Sequence, residues 1–263
     1  MTALTARRTT PVTAIALVVF AASLRAEGPS AEAIAAWDRY VTVAETWLEA
    51  EFARPGMPPM AAEDADARVA RGEVVVEEAP ARVRGSADVP DARIHHWRGR
   101  IFVPNVSIER LVATVRDPAG HSQEDVLEAR LLERSDHGDR VYLKIRRSAI
   151  VTASYNTEHR VTYRTDGHGR VRSRSVATRI AEIDGLGTPD EREKPPGTDR
   201  GFLWRMNAYW CYQPVAGGVM VTLDSITLSR AIPWVVVPIA APVVDRVARE
   251  SVVRTLRSLQ ARF

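Results

Sequence analysis

GFLWRMNAYWCYQPV (201–215), AGG (216–218) and VMVTLDSITLS (219–229) decide how this chain folds. The first segment is rich in aromatic residues, which suit a pleated, half-buried surface. Glycine reaches positive φ without steric cost, so Ala216-Gly217-Gly218 supplies a tight turn. Residues 219–229 alternate apolar with polar, the period of a second strand that pairs back on the first. After a Pro-rich passage, 232–238, comes a long helix with Pro242 near its start, where a missing N–H costs nothing. Its apolar stripe is Val243, Val244, Val247, Ala248, Val252, Leu256, Leu259 and Phe263, and Arg246, Arg249, Glu250, Arg254, Arg257 and Gln260 decorate the other side. About 20 helical residues span roughly 30 Å, enough to cross a whole sheet.

Working outward, Ser30–Phe52 reads as a helix capped by Ser30, with Ile34, Trp37, Val41, Ala44 and Leu48 on its apolar face. Residues 54–66 are a Pro-rich and then acidic connector. A single helix cannot bury its own face, so this connector is a surface loop. Segments 72–78 and 94–103 read as strands, and 107–116 as a short helix capped by Asn105 or Ser107. From Val126 the reading is antiparallel β: strands 126–134, 140–151, 159–164 and 170–183, with turns at 136–139 and 166–169 and a bend near Tyr155-Asn156. Residues 186–200 form a charged loop with nothing to pack, which predicts mobility.

The 263 residues suffice for a sizeable core without disulfides or metals. The one cysteine, Cys211, lies inside a predicted strand and reads as a small buried hydrophobe. The net charge of +3 belongs to the first 26 residues, which hold Arg7, Arg8 and Arg25 and no acid. Removing these three from the 36 basic residues leaves 33 against 33 acidic, so the charge gives no ground for a nucleic-acid partner. Arg7-Arg8, the apolar run 12–22 and Leu24-Arg25-Ala26 have the order of an export signal, too short for an ordinary membrane span. The expected organisation is therefore a signal peptide over 1–26, a helix and connector over 27–70, and one domain over 71–263. Export to the periplasm or medium follows, with no stable membrane span after signal removal.

That order of elements resembles the helix-grip fold of the START-like, Bet v 1-like (SRPBCC, polyketide cyclase-type) superfamily. The resemblance leaves out the leader and first helix and covers roughly three quarters of the chain, with segments 101–116, 140–183 and 201–263 carrying it. It implies an α+β architecture in which a curved antiparallel sheet wraps a long C-terminal helix, here with an extra N-terminal helix. It also implies a cavity between sheet and helix for a lipid, sterol or polyketide.

The candidate site residues follow from strand parity. Phe202, Trp204, Met206, Trp210 and Tyr212 share one face of their strand, and Leu203, Arg205, Asn207, Tyr209 and Cys211 the other. The first set either fills the space under the helix as core or lines a cavity. Tyr155, Asn156 and His159 form a candidate polar cluster at its mouth, Asn156 otherwise serving as a turn residue. Arg170, Arg172 and Arg174 alternate on one face, as an anion-binding stripe or, better matched to a neutral chain, as the solvent side of the sheet paired to acids on neighbouring strands.

Common catalytic signatures such as GxSxG, HExxH, CxxC or a P-loop are absent. Adjacent His95 and His96 point to opposite faces and cannot chelate one ion. The expectation is thus a binding domain for an apolar small molecule or lipid, with no cofactor and no metal. The rivals are a cyclase or dehydratase using Tyr155, His159 or Arg205, and an interaction module whose N-terminal helix docks a partner.

Overall fold

The computed structural model describes residues 28–80, 83, 88–89, 91–118, 123–148, 152–231 and 237–263, with backbone alone for 88, 148 and 237–245. The expected leader lies outside them. The helices are α1 (Ala31–Phe52), α2 (Ala65–Ala70), α3 (Ile108–Val115) and α4 (Val237–Gln260). The strands are β1 (Val75–Glu78), β2 (Asp88–Val89), β3 (Ala92–Pro104), β4 (Val126–Ser135), β5 (Gly138–Ser148), β6 (Thr152–Thr165), β7 (Val171–Asp184), β8 (Arg192–Glu193), β9 (Arg205–Val215) and β10 (Gly218–Arg230). They form one antiparallel sheet in the order β1-β3-β10-β9-β7-β6-β5-β4, with β2 beside β3 and β8 beside β7. Among the described residues no helix is long and apolar enough to cross a membrane.

Local chemistry accounts for most element ends. Ser30 Oγ accepts from the Ala33 N–H and caps α1, and Ser107 Oγ accepts from the Arg110 N–H and caps α3. Asn105 takes a left-handed φ of 56° in the turn before α3. The β9–β10 hairpin closes through Ala216-Gly217, where Gly217 has φ 82°. Gly218 has a different reason to be glycine: a Cβ there would strike the Val103 carbonyl of β3.

The two faces of the sheet carry separate cores. On the inner face α4 lays Val252, Leu256 and Leu259 over Ile101 and Val103 of β3, Tyr212 of β9, and Val219, Val221 and Leu223 of β10. Gly99 lets α4 approach, since a Cβ there would lie 2.5 Å from Leu256 Cδ1 and 2.8 Å from Val252 Cγ1. On the outer face α1 packs Ala33, Ala36, Trp37, Tyr40, Ala44, Leu48 and Phe52 against Ile94, Tyr209, Cys211, Ile226 and Leu228. Burial of Cys211 at 1% exposure pushes its thiol up to about 11, so it behaves as the sequence predicts.

A buried charge network fixes α1 in place. Arg98 donates to both carboxylate oxygens of Asp224, to Glu51 Oε2 of α1 and to the Pro59 carbonyl, and it stacks on Trp47 at 4.3 Å. His96 bridges Asp224 and the Tyr40 hydroxyl. Arg100 reaches the Pro58 carbonyl and Asp66. Arg170 donates to the carbonyl of Phe52, an acceptor that the end of α1 leaves orphaned, and to those of Arg54 and Gly56 in the turn that follows.

Three expectations are corrected. Residues 152–165 are one unbroken strand without a bend at Tyr155-Asn156; a β-bulge at Glu158/His159 shifts the register with β7. The 186–200 loop is tied down, with β8 on the sheet and ion pairs Lys144–Glu191, Arg179–Glu193 and Arg200–Glu182. Helix α4 begins at Val237, so Pro238 rather than Pro242 occupies its first turn.

Candidate functional site

The candidate site is the inner face of β5, β6, β7 and β9. Register places Tyr155 opposite Ile145, Thr157 opposite Leu143, and His159 opposite Val141, so these three β6 side chains stand in a row on one face. Across the bulge, Val161 pairs with Ser175 and Tyr163 with Ser173, and Ser173 pairs with Trp210. Strand order alone therefore gathers hydroxyls, an imidazole and two large aromatic rings from three strands.

The row is buried: Tyr155 is 1%, Thr157 0% and His159 4% exposed. Burial holds the His159 imidazole down to about 4, so it is neutral near pH 7. Its tautomer follows from the hydroxyl beside it. Thr157 Oγ1 donates its single proton to the Leu143 carbonyl at 3.0 Å, so it can only accept from His159 Nε2, also at 3.0 Å. Nδ1 is then the acceptor, and Ser175 Oγ lies 3.4 Å from it. Both ring nitrogens are spent.

Tyr155 is the opposite case. Its ring packs with Ile145, Ala153 and Leu203, bordered by Val126, Leu143, Ile180 and Met206. Burial, then the Glu182 carboxylate, raise its pKa, so the phenol keeps its proton. The hydroxyl is out of reach of solvent and has no hydrogen-bond partner among the described residues. Charged latches flank it. Glu182 is gripped by Arg200 at 2.5 Å and Lys194 at 2.8 Å. Asp125 Oδ2 accepts from Arg147 of β5 at 2.9 Å and from Arg254 of α4 at 2.8 Å, which pins the helix to the start of β4.

The sequence-predicted residues divide into groups. Met206 joins Tyr155 in one apolar cluster. Trp210 and Tyr212 stack at 6.0 Å and 8° within the cluster under α4. Burial raises the Tyr212 pKa and brings Tyr163 nearby to about 12. Trp204 belongs instead to the α1 cluster, with its indole N–H on Asp199 and Arg230 over its ring. The parity argument assumed a straight strand from Phe202, but β9 starts at Arg205 after a turn at Gly201, φ 77°. Phe202 is accordingly 49% exposed.

Asn156 points away from Tyr155, bonding the Tyr142 hydroxyl and Glu193, so the predicted trio does not converge. Arg205 is exposed and donates to the Trp204 carbonyl. The arginine stripe faces α1, with Arg174 still half exposed: Arg172 pairs with Glu49 and Arg174 with Glu45, acids of a helix rather than of neighbouring strands. Thr157 and Ser175 were missed, although the parity rule used on β9 selects Thr157 when applied between Tyr155 and His159.

This is a face that offers neutral hydrogen-bonding groups in an apolar frame. Among the described residues no carboxylate contacts the imidazole, and the Tyr155 phenol, without a partner there, is held protonated.

No family profile matches the chain, and no curated protein does. Among solved structures it is similar to a STAR-related lipid transfer protein from Xanthomonas axonopodis, at 20% identity and TM-score 0.46 over 71% of this chain and 97% of that one. A START superfamily protein from Mycobacterium smegmatis matches at 10% identity and TM-score 0.40, over 64% and 95%. An aromatase/cyclase from Streptomyces sp. R1128 matches at 12% and 0.39, over 65% and 93%. At these values the likenesses add nothing to the strand order and helix placement already described. Those features, an open antiparallel sheet with the C-terminal helix across its inner face and α3 between β3 and β4, give the chain a helix-grip fold of the α+β class.

Proposed function

We propose that this chain is an exported binding domain that takes a hydrophobic small molecule or lipid between the inner face of the sheet and α4. The observation that carries the reading is the Tyr155 hydroxyl, buried in an apolar setting without a partner among the described residues. Such a group costs about 1–3 kcal/mol, which a ligand carbonyl or hydroxyl accepting from it recovers. Entry requires the cover over Tyr155 to move, because that hydroxyl is closed off here. The cyclase reading is weaker, since His159 is neutral with both nitrogens occupied. The interaction-module reading is weaker too, because the apolar face of α1 is spent on the sheet of its own chain.

Native mass spectrometry of gently purified protein tests the proposal, with fatty-acid and sterol titrations followed by tryptophan fluorescence and melting temperature. A co-purified apolar molecule, or a ligand that raises the melting temperature by mass action, is the expected outcome. A broad panel that moves neither signal, with no co-purified ligand, removes the proposal. N-terminal sequencing of the protein from its host tests export, and recovery of intact Met1 from a soluble cytosolic fraction refutes it.

A further inference from the structure

The outer face holds a second cleft, on the opposite side of the sheet from Tyr155. Between α1 and the β6–β7 side of the sheet lies a space of about 240 Å³. Leu48 and Phe52 of α1 form its apolar wall, and Arg164, Arg172 and Arg174 of the strands face Glu45 and Glu49 of the helix.

The charges do not balance. Glu45 is held through one oxygen: its Oε1 accepts from Arg174 Nε and from the Tyr209 hydroxyl, both at 2.7 Å. Glu49 is divided between two guanidiniums, lying 2.9 Å from Arg172 and 3.9 Å from Arg164. Three cations therefore share two carboxylates. Arg172 stacks over Phe52 at 4.9 Å, and its Nε is buried with no hydrogen-bond partner among the described residues. Arg164 is 72% exposed, with the distant Glu49 contact its one ion pair among the described residues. A buried guanidinium N–H without an acceptor, a second guanidinium beside it and an apolar wall behind are the requirements for holding an oxyanion on a small apolar body. The volume agrees: a cavity of roughly 150 Å³ takes benzene, so this one has room for a ring and its charged group.

We propose that this cleft binds a small organic oxyanion, a carboxylate or phosphate monoester, with its charge between Arg164 and Arg172 and its apolar part against Leu48 and Phe52. Glu49 is the internal competitor for the same guanidiniums. The site is independent of the inner ligand and stands or falls separately from it.

Isothermal titration calorimetry on the full chain at about 10 mM ionic strength, where screening is weak, provides the test. The probes are benzoate, phenyl phosphate, inorganic phosphate and phenol. Benzoate or phenyl phosphate should bind with Kd below about 1 mM, inorganic phosphate about tenfold more weakly, and phenol not at all. Arg164→Gln should weaken the organic anions about tenfold, while Glu49→Gln should tighten them by roughly three- to tenfold. A merely structural ion pair does not give that second sign. Melting temperatures within about 2 °C of wild type would show both variants folded. The proposal is overturned if neither organic anion gives heat on wild type or Glu49→Gln, if inorganic phosphate or phenol binds equally well, or if binding ignores both substitutions.

Discussion

Arg98→Met is the most informative single perturbation of this fold. Arg98 and Asp224 are each 1% exposed, and Arg98 also neutralises Glu51 of α1 and covers Trp47. Removing it strands two carboxylates in a place that water does not reach. Breaking a buried pair costs about 3–5 kcal/mol, which in a chain of this size lowers the melting temperature by roughly 6–20 °C. The variant should also change its response to acid. Burial pushes the Asp224 pKa up, but Arg98 and His96 outweigh burial and hold it below the ordinary carboxylate value. In wild type this group contributes stability above its unfolded pKa, near 3.9, and that contribution is lost as pH falls through the folded pKa. Without Arg98 burial wins, the folded pKa rises above the unfolded one, and protonation relieves the strain. The deficit of the variant should therefore be largest at pH 7 and shrink toward pH 4. Urea denaturation followed by circular dichroism at several pH values measures this, with Arg98→Met/Asp224→Asn as the control that should lose less than the single variant. A single variant within about 1 kcal/mol of wild type at pH 7, or a double variant no better than the single, refutes the reasoning.

Leu256→Asp puts a carboxylate under α4, where Leu256 is 0% exposed, and should cost several-fold more than Arg257→Asp on the exposed side, as read by melting temperature. Gly99→Val forces a side chain into Leu256 and Val252 and should destabilise by about 1–3 kcal/mol or more, with α4 the element that loses hydrogen-exchange protection. NMR should find His159 neutral down to about pH 4, and because its unfolded pKa is higher, stability should fall as pH drops from about 6.5 toward 4. Tyr155→Phe should leave the empty protein as stable as wild type or slightly more so, since no hydrogen bond is lost, yet weaken an inner ligand about five- to tenfold by calorimetry or fluorescence titration.

The fold was legible wherever one face of an element is apolar and the other wet. Strand alternation in 219–229, the Gly217 turn, the α4 stripe through Val252, Leu256 and Leu259, and the Ser30 cap all survive. The arginine stripe on the strand leading from Arg170 was visible, but its purpose was not. Its partners are carbonyls and carboxylates of a helix more than 100 residues earlier in sequence, and no local pattern encodes such a pairing. The same distance hid Arg98 and Asp224, two charged residues inside strands whose neighbours told nothing of their burial. At the candidate site, parity located Trp210 and Tyr212 correctly and failed at Trp204, because a turn at Gly201 interrupts the alternation that parity needs. Thr157 was within reach of the period-2 rule, being two residues from His159 on β6, whereas Ser175 looks like an ordinary strand residue until pairing of β6 with β7 sets it against the imidazole.

The grip of Arg170 on the carbonyls of Phe52, Arg54 and Gly56 has a consequence for synthesis. During translation α1 leaves the ribosome well over 100 residues before Arg170, and longer still before Asp224 completes the Arg98 network. At about 5–20 residues per second the helix waits seconds to tens of seconds for Tyr209, Cys211, Ile226 and Leu228 of β9 and β10, although Ile94 of β3 reaches it much sooner. The first helix among the described residues is thus among the last elements to be fully covered. Until β9 and β10 arrive the apolar face of α1 is covered only in part, so a nascent chain stalled between β3 and β9 would still present part of that face to whatever is nearby.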